Sequence, residues 1–313
     1  MVVGRVVETA ERSGPALPRY ERPHEEIDLD LAARPAACVP YADSEAAITA
    51  SGLSEGGQGL LRGLLRLGTA RVFPGGGVGI EYGRLLKTAA RPEYLAAHAA
   101  EAAAHLRALG ADVLFVPGIS GYPVAAMYSV VSGIPAVFLK KAKLADGAAP
   151  VYPAGAFVIP SYTGEGDVVM HADQDAAQDI VDAIVAPQLD AQRGVELPVL
   201  TIRAAGADDI IDKATMSLAV GENAVVVGTA AIQDFAWRHR EATGDPRPIE
   251  PRVEVVGWVT PLIKGYNAPQ ERLERAFGVR PFAGINVTSV HLDPPAIGVE
   301  GVGVLAFAPS RRS

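Results

Sequence analysis

One uncharged stretch, from Val113 to Leu139, most constrains what this chain can fold into. It is long enough for a membrane-spanning helix, which needs about 20 apolar residues in one uninterrupted run. Proline and glycine interrupt the stretch at Pro117, Gly118, Gly121, Pro123, Gly133 and Pro135. Because these residues break helix interiors, the stretch predicts a buried strand, a loop over 117–123, a short helix and a second buried strand. We therefore reject the membrane-spanning interpretation.

A strand–loop–helix–strand unit that is buried on both faces is typical of a parallel α/β sheet. The alternation continues along the chain. We expect helices over 92–110, 175–194 and 207–220, and further buried strands over 197–203 and 224–232. The predicted fold class is therefore α/β, with a doubly wound, mainly parallel sheet.

Composition changes along the chain and suggests three regions. Residues 1–60 are rich in proline and mixed charge, which predicts an N-terminal arm or cap, and residues 61–235 form the predicted α/β core. From 245 to 313 the pattern changes to proline-rich joints and a glycine- and valine-rich end. This last region predicts a smaller C-terminal subdomain or lid.

The charge and the cysteine content exclude several classes of protein. A net charge of −8 and a pI near 5.3 argue against nucleic-acid binding, because phosphate contacts need a basic surface. Cys38 is the single cysteine, so neither an intramolecular disulfide nor a cysteine-based metal cluster is available. The first residues lack the apolar region of a secretory signal, and we expect a cytoplasmic protein with no membrane partner.

The loop PGISGYP carries the first candidate functional residues. It lies between a predicted buried strand and a helix, where the backbone N–H groups of a helix N-terminus favour an anion. The candidates are Gly118, Ile119, Ser120 and Gly121, since glycine lets an anion approach the backbone closely. A tight strand-to-helix turn without a ligand is the alternative interpretation.

Lysines cluster directly after the second strand of the same unit. Six occur in the chain, and Lys140, Lys141 and Lys143 lie together in FLKKAKLADG. Ammonium groups beside the predicted anion loop favour the binding of a polyphosphate. A solvated strand end is the alternative.

The segment GADVLFVPGISGYPVAAMYSVVSGIPAVFLKKAKLADG resembles the type I phosphoribosyltransferases, in which a loop after a core strand binds pyrophosphate and a basic strand end follows. RVFPGGGVGIEYGRLLKTAARPEYL is similar to the orotate branch of that family. The resemblance covers roughly residues 60–232. It implies transfer of a phosphoribosyl group from phosphoribosyl pyrophosphate to a small nitrogenous or aromatic acceptor, with Mg²⁺ as cofactor, release of pyrophosphate and assembly as a homodimer.

The family's paired acids and threonine–glycine loop have three partial matches in this sequence. In DVVMHADQDAAQDIV, Asp173 and Asp175 follow an apolar strand. In PVLTIRAAGADDIIDKATM, Asp208 and Asp209 lie beyond the predicted strand and Thr215 follows. Helix capping is the alternative role for both pairs of acids. The third match, FVIPSYTGEG, has the loop residues without the acids.

From the first match the resemblance implies that Asp173 and Asp175 act in catalysis and bind Mg²⁺. From the third it implies a loop that closes over the phosphate or the acceptor. The residues of that loop are Ser161, Tyr162, Thr163, Gly164 and Gly166.

Two other functions stay open. Because the acid and threonine motif departs from the family pattern, a non-catalytic protein of the same fold could bind or sense a phosphorylated sugar or nucleotide. An unrelated α/β enzyme with a similar strand–loop–helix unit is the third possibility.

Overall fold

The computed structural model describes residues 17–20, 34–73, 78–87, 91–143, 152–160 and 166–309. Within them the helices are α1 (Ser44–Thr49), α2 (Glu55–Leu67), α3 (Gly83–Leu86), α4 (Pro92–Ala108), α5 (Gly118–Ser132), α6 (Gln174–Ala191), α7 (Thr215–Thr243) and α8 (Pro269–Phe277). The strands are β1 (Thr69–Val72), β2 (Val78–Glu81), β3 (Val113–Val116), β4 (Ala136–Phe138), β5 (Lys140–Lys143), β6 (Phe157–Pro160), β7 (Asp167–His171), β8 (Val199–Ala207), β9 (Ile210–Ile211), β10 (Glu250–Lys264), β11 (Pro281–Leu292), β12 (Pro295–Val299) and β13 (Gly303–Ala306).

Eight strands form the central sheet, in the order β13-β12-β11-β10-β8-β3-β4, with β9 paired to β10. The strands from β11 to β4 are parallel, whereas β12 and β13 run antiparallel at one edge. Numbered along the chain, these five parallel strands have the order 2-1-3-4-5, which is a doubly wound arrangement. The predicted fold class is therefore confirmed.

Helices cover both faces of this sheet, because successive side chains of a strand point to opposite faces. On β3, Leu114 and Val116 pack in a core with residues of α2, α4 and α5. Val113 and Phe115 pack in a second core with residues of α6, α7 and α8. All four side chains are buried, which explains why this strand has an uninterrupted apolar sequence.

Two smaller antiparallel sheets complete the architecture. β1 and β2 form a hairpin, and β5, β7 and β6 form a three-stranded sheet in that order. The N-terminal segment 17–20 joins β6 through a bridge between Arg19 and Val158. Arg19 also donates to both carboxylate oxygens of Asp167 at 2.6 and 3.1 Å. The segment therefore fastens two strands of the three-stranded sheet.

Helix α5 corrects the predicted loop over 117–123, because the helix already begins at Gly118. Pro123 lies inside it and removes one backbone donor. The helix packs closely on the residues after β8: a Cβ on Gly121 would lie 2.9 Å from Oδ1 of Asp208. The helix ends at Gly133, whose φ of 76° is the left-handed conformation that glycine adopts readily.

Helix α7 corrects two further predictions. We expected a helix over 207–220 and a buried strand over 224–232, but β8 extends to Ala207 and α7 runs from Thr215 to Thr243. The β-branched run AVVVGTAAI fits either structure, and its helical spacing buries Ala224, Val227 and Ala231. Among the described residues, α7 is the helix long and apolar enough to cross a membrane. It packs in the core instead, with 56% of that apolar window buried.

The structure also corrects the predicted C-terminal subdomain over 245–313. β10 pairs in parallel with the whole of β8, from Val199 to Ala207, and β11, β12 and β13 extend the same sheet. On β10, Trp258 and Val259 belong to opposite cores. The regions predicted as 61–235 and 245–313 therefore share one sheet and both cores. The proline-rich segment before β10 is a connection and not a domain boundary.

Candidate functional site

A cavity of about 380 Å³ lies at the carboxyl ends of β3 and β8. The chain leaves β3 towards β4 on one side and later returns to β8 on the other, so this is the point where the strand order reverses. Ligands of doubly wound sheets bind at such a point. Residues of β2, the three-stranded sheet and the first turn of α7 complete the wall.

Two adjacent acids form the floor of this cavity. Asp208 and Asp209 directly follow β8, and they are only 8% and 2% exposed. The N–H of Asp209 donates to Oδ1 of Asp208 at 2.8 Å. Burial, together with the neighbouring charge of Asp209, raises the pKa of Asp208 well above its usual range. The protonated form of Asp208 is therefore favoured.

Two residues that flank α3 contact Asp209. Tyr82 Oη donates to Oδ2 of Asp209 at 2.9 Å, and Lys87 Nζ lies 3.3 Å from the same oxygen. The Lys87 ammonium also lies 4.7 Å from the centroid of the Tyr82 ring, a cation–π distance. Both residues lie in RVFPGGGVGIEYGRLLKTAARPEYL, the segment similar to the orotate branch, but that similarity predicted no site role for either of them.

Lysine is concentrated at this cavity. Four of the six lysines of the chain line it: Lys87, Lys141, Lys213 and Lys264. Arginine is absent from its described lining. Four acids, Glu81, Asp208, Asp209 and Asp212, line the cavity as well, so these ammonium groups offer local contacts for the anionic groups of a ligand within a lining of both charges.

Two helices begin at the cavity. The first turns of α5 and α7 both contribute lining residues, among them Gly118 and Thr215. N–H groups of a first helical turn lack helical partners and attract anions. Gly118 has a φ of 58°, and the Lys141 side chain crosses it, with Cε 3.2 Å from where a Cβ would lie. Ala214, directly before α7, also adopts a left-handed φ, of 59°, which is uncommon for a residue with a side chain.

A third acid at the cavity is neutralised by its neighbours. Lys264 Nζ lies 2.5 Å from Oδ2 of Asp212, and Asn267 Nδ2 donates to Oδ1 at 2.5 Å. Lys264 lies at the end of β10 and is 9% exposed. Because its charge is paired so closely, Asp212 opposes an anionic ligand less than an isolated carboxylate would.

The structure brings part of the predicted anion site to this cavity. Gly118, Ser120 and Lys141 line it, and Gly121 packs below against Asp208. Ile119 is 66% exposed and does not line the cavity.

The predicted catalytic and metal-binding acids lie elsewhere. Asp173 caps α6 by accepting the N–H of Ala176 at 3.2 Å, and it pairs with Lys140 at 2.5 Å. Asp175 is exposed in the first turn of α6. Asp173, Asp175 and Lys140 are all outside the lining of the cavity. The carboxylates satisfy and complement a helix N-terminus there, which is a structural role.

The predicted closing loop falls mainly outside the described residues. This applies to Ser161, Tyr162, Thr163 and Gly164. Gly166 is exposed, with a φ of 69°. Ile159, Pro160 and Val168, on the two strands that the loop connects, line the cavity. Lys143 is the last residue of β5.

Asp208 and Asp209 were placed in a helix because the preceding strand was expected to end at Arg203. β8 instead continues through Ala204 to Ala207, so the acids follow a strand directly. Alanine and glycine are poor strand formers, and this hid the extension. Trp258 of β10 fills the space they leave, since a Cβ on Gly206 would lie 1.8 Å from its ring. The sequence signal for this strand end was the run of four small apolar residues, 204–207, directly before Asp208 and Asp209.

Metal binding has no complete set of protein ligands in the part of the chain that the structure describes. That part has no cluster of three or more His, Cys, Asp or Glu side chains suited to a metal ion. A Mg²⁺ ion in this cavity would therefore take most of its ligands from the phosphate oxygens of a substrate and from water.

Comparisons with known proteins find similarity at the level of structure. No family model matches the sequence, and no curated protein matches it. A structure of adenine phosphoribosyltransferase from Giardia lamblia with 9-deazaadenine is 14% identical, with a TM-score of 0.42 over 72% of this chain and 96% of that chain. The Saccharomyces cerevisiae enzyme is 12% identical, with a TM-score of 0.41 over 73% and 98%. The Trypanosoma brucei enzyme with AMP, pyrophosphate and ribose-5-phosphate is 12% identical, with a TM-score of 0.38 over 75% and 80%. This chain is thus distantly similar to these structures, while its fold is defined by its own strand order.

Proposed function

We propose that this protein transfers a phosphoribosyl group from phosphoribosyl pyrophosphate to a small nitrogenous or aromatic acceptor. One observation carries the proposal: a single cavity at the reversal of the strand order combines four lysines, two helix N-termini and a buried acid pair. A ligand with two separate phosphate groups and a hydroxylated sugar between them complements that combination.

The charged parts of the cavity fit such a donor. Its pyrophosphate would lie against the first turn of α5 and the ammonium group of Lys141, which crosses Gly118. Its 5′-phosphate would lie at the first turn of α7, beside Lys213. Asp209 would then accept hydrogen bonds from the sugar hydroxyls between these two sites.

The apolar part of the cavity fits the acceptor. Its side chains include Phe73, Ile80, Val168 and Met216. Small-molecule sites that combine an apolar wall with a few polar groups favour flat, largely apolar ligands. An aromatic or heterocyclic acceptor with a nucleophilic nitrogen has those properties.

The proposed reaction is a displacement at the anomeric carbon. An acceptor nitrogen forms a bond to that carbon while the bond from the carbon to the pyrophosphate oxygen breaks, and the bonding electron pair leaves with pyrophosphate. Where the acceptor nitrogen carries a hydrogen, that proton is released to water. Lys141 and the first-turn N–H groups of α5 stabilise the negative charge that develops on the leaving group. Mg²⁺ supplies further charge neutralisation on the phosphate oxygens when it is bound.

Two neighbouring lysines provide a matched test. Lys141 crosses Gly118 at the cavity, whereas Lys140 pairs with Asp173 outside it. Lys141→Gln should weaken the binding of phosphoribosyl pyrophosphate with Mg²⁺ by roughly 10- to 100-fold, the effect of losing a hydrogen bond to a charged group. Lys140→Gln should change it by less than about twofold. Isothermal calorimetry measures both affinities, and equal losses in the two variants would contradict the assignment.

Turnover separates the enzyme from a sensor on the same fold. Pyrophosphate release should be measured with the donor, Mg²⁺ and a panel of heterocyclic bases and aromatic acids. Release with one acceptor supports the proposal. Tight donor binding without release for any acceptor would favour the non-catalytic sensor, and absence of donor binding would exclude both functions.

A further inference from the structure

Asp209, which lies between β8 and β9, is held by two residues from a distant segment of the chain. Tyr82 and Lys87 both contact Oδ2, at 2.9 and 3.3 Å, and neither of these contacts uses Oδ1. The carboxylate is buried and the tyrosine is buried, whereas the lysine side chain is 37% exposed. A buried carboxylate without a counter-ion is unfavourable, and the Lys87 ammonium group supplies a positive charge at 3.3 Å from Asp209.

A single helical turn brings the two contacting residues together. Tyr82 directly precedes α3 and Lys87 directly follows it, and the Lys87 N–H donates to the Gly83 carbonyl at 2.8 Å. Leu85 and Leu86 anchor this turn in the core, with 0% and 2% exposure. The tyrosine hydroxyl and the ammonium group are thereby directed to one oxygen from a fixed backbone.

Other titratable groups also lie near Asp209. Oδ1 of Asp208 accepts the N–H of Asp209, and burial raises the pKa of Tyr128 of α5. Lys264 is engaged by Asp212, and Lys141 lies across Gly118. Lys213 and Glu81 also line the cavity. Of these groups, Lys87 is the cation in ion-pair contact with Asp209.

We propose that Tyr82 and Lys87 are positioning residues that hold the Asp209 carboxylate in a fixed orientation as a hydrogen-bond acceptor for the sugar hydroxyls of the ligand. The inference rests on the proposed function and adds the segment around α3 to the donor site. The Lys87 ammonium group already contacts the Asp209 carboxylate and the Tyr82 ring, so it is less available to a phosphate than Lys141 is. Its effect on the ligand therefore passes through Asp209.

Two probes distinguish positioning from direct attraction of the anion. Phosphoribosyl pyrophosphate with Mg²⁺ contains the sugar, and inorganic pyrophosphate with Mg²⁺ does not. Lys87→Gln should weaken binding of the first about tenfold and of the second less than about twofold. Lys87→Arg should restore the affinity for the donor to within about threefold, and Tyr82→Phe should lower it about three- to tenfold. Arg193→Gln, which changes a side chain that is 82% exposed, is the surface control.

A double-mutant cycle tests whether the effect passes through Asp209. In an Asp209→Asn background, Lys87→Gln should cause little further loss of donor affinity. Equal losses for both probes would show that Lys87 binds the anion directly, and additive losses in the cycle would show that the residues act independently. Either result overturns the proposal.

Failure of the proposed function is recognised separately, because wild-type protein would then bind no phosphoribosyl pyrophosphate. That result would also exclude a positioning role for Tyr82 and Lys87 at a donor site. Urea unfolding of the four ligand-free proteins of the cycle would still determine whether Lys87 and Asp209 are coupled in the fold. These are the wild type, Lys87→Gln, Asp209→Asn and the double variant. Non-additive unfolding free energies support the contact, and additive ones contradict it.

Discussion

The environment of Asp208 in the folded chain differs from the one that its neighbours in the sequence suggest. Two adjacent acids before a helical segment fit helix capping, a common surface role. In the folded chain Asp208 is instead buried below the cavity, between β8 and the start of α5. Burial favours the uncharged carboxyl of Asp208. At neutral pH the folded state therefore holds a proton that the unfolded state has already released.

Asp208→Asn should therefore stabilise the protein at neutral pH, and the gain should grow with pH. An unfolded aspartate ionises above about pH 3.9, while the raised pKa keeps Asp208 protonated in the folded state. The unfolded wild type then binds fewer protons than the folded one, so its stability falls as the pH rises above that value. Asparagine does not ionise, and its Oδ1 can still accept the N–H of Asp209.

Urea unfolding of both proteins between pH 4 and pH 8 measures this effect. The difference in unfolding free energy should be smallest at the acidic end and should increase steadily. A difference that is independent of pH would contradict a raised pKa for Asp208.

At the scale of elements, helix α7 depends on close approach to its neighbours. Gly221 faces α8, where a Cβ would lie 2.4 Å from Cζ of Phe277. Gly228 faces β10, where a Cβ would lie 3.0 Å from a Val253 methyl group. Glycine lowers helix propensity, yet here it lets an apolar helix pack directly on the sheet and on α8. Packing therefore decides the helical state of a segment whose sequence also fits a strand.

Gly221→Ala should destabilise the protein by about 1–3 kcal/mol, because the added methyl group overlaps the Phe277 ring. The gain in helix propensity, at most about 1 kcal/mol, is too small to offset that overlap. Urea unfolding measures the change, and combining Gly221→Ala with Phe277→Leu should recover part of the loss. A neutral or stabilising Gly221→Ala would contradict the close packing of α7 against α8.

At the scale of the whole molecule, β10 joins regions that the sequence suggested were separate. It pairs with both β8 and β11 and contributes buried residues to the cores on both faces. It also carries Lys264 to the cavity. The site and the two cores therefore depend on the C-terminal part of the chain.

A fragment that ends at Gly244 should not fold, since it lacks β10 to β13 and leaves one edge of β8 and both cores exposed. Circular dichroism and the dispersion of amide NMR signals measure this, with the full-length chain as the control. A cooperative unfolding transition of the fragment would contradict the shared cores and support a separate C-terminal subdomain.

Much of the fold was predictable where the signal is local. The apolar strand β3, the lysines after β4 and the helices α4 and α6 follow from periodicity, proline and glycine positions over short windows. The same reasoning brought Gly118, Ser120 and Lys141 to what proved to be one cavity. It failed at α7 and at the end of β8, where β-branched or small residues contradict the structure that tertiary packing imposes.

The sequence by itself therefore determined the α/β class, the buried β3–α5–β4 unit and the basic segment that follows it. Only the tertiary structure decided which acids reach the site, because that depends on pairing between strands far apart in the chain. The large side chain of Trp258 fills the space above Gly206, so that four small residues complete β8 and Asp208 and Asp209 meet α5, Tyr82 and Lys87. Asp173 caps a helix instead, since no such pairing directs it to the cavity. Local patterns specify elements, whereas burial and charge at a site are set by what those elements pack against.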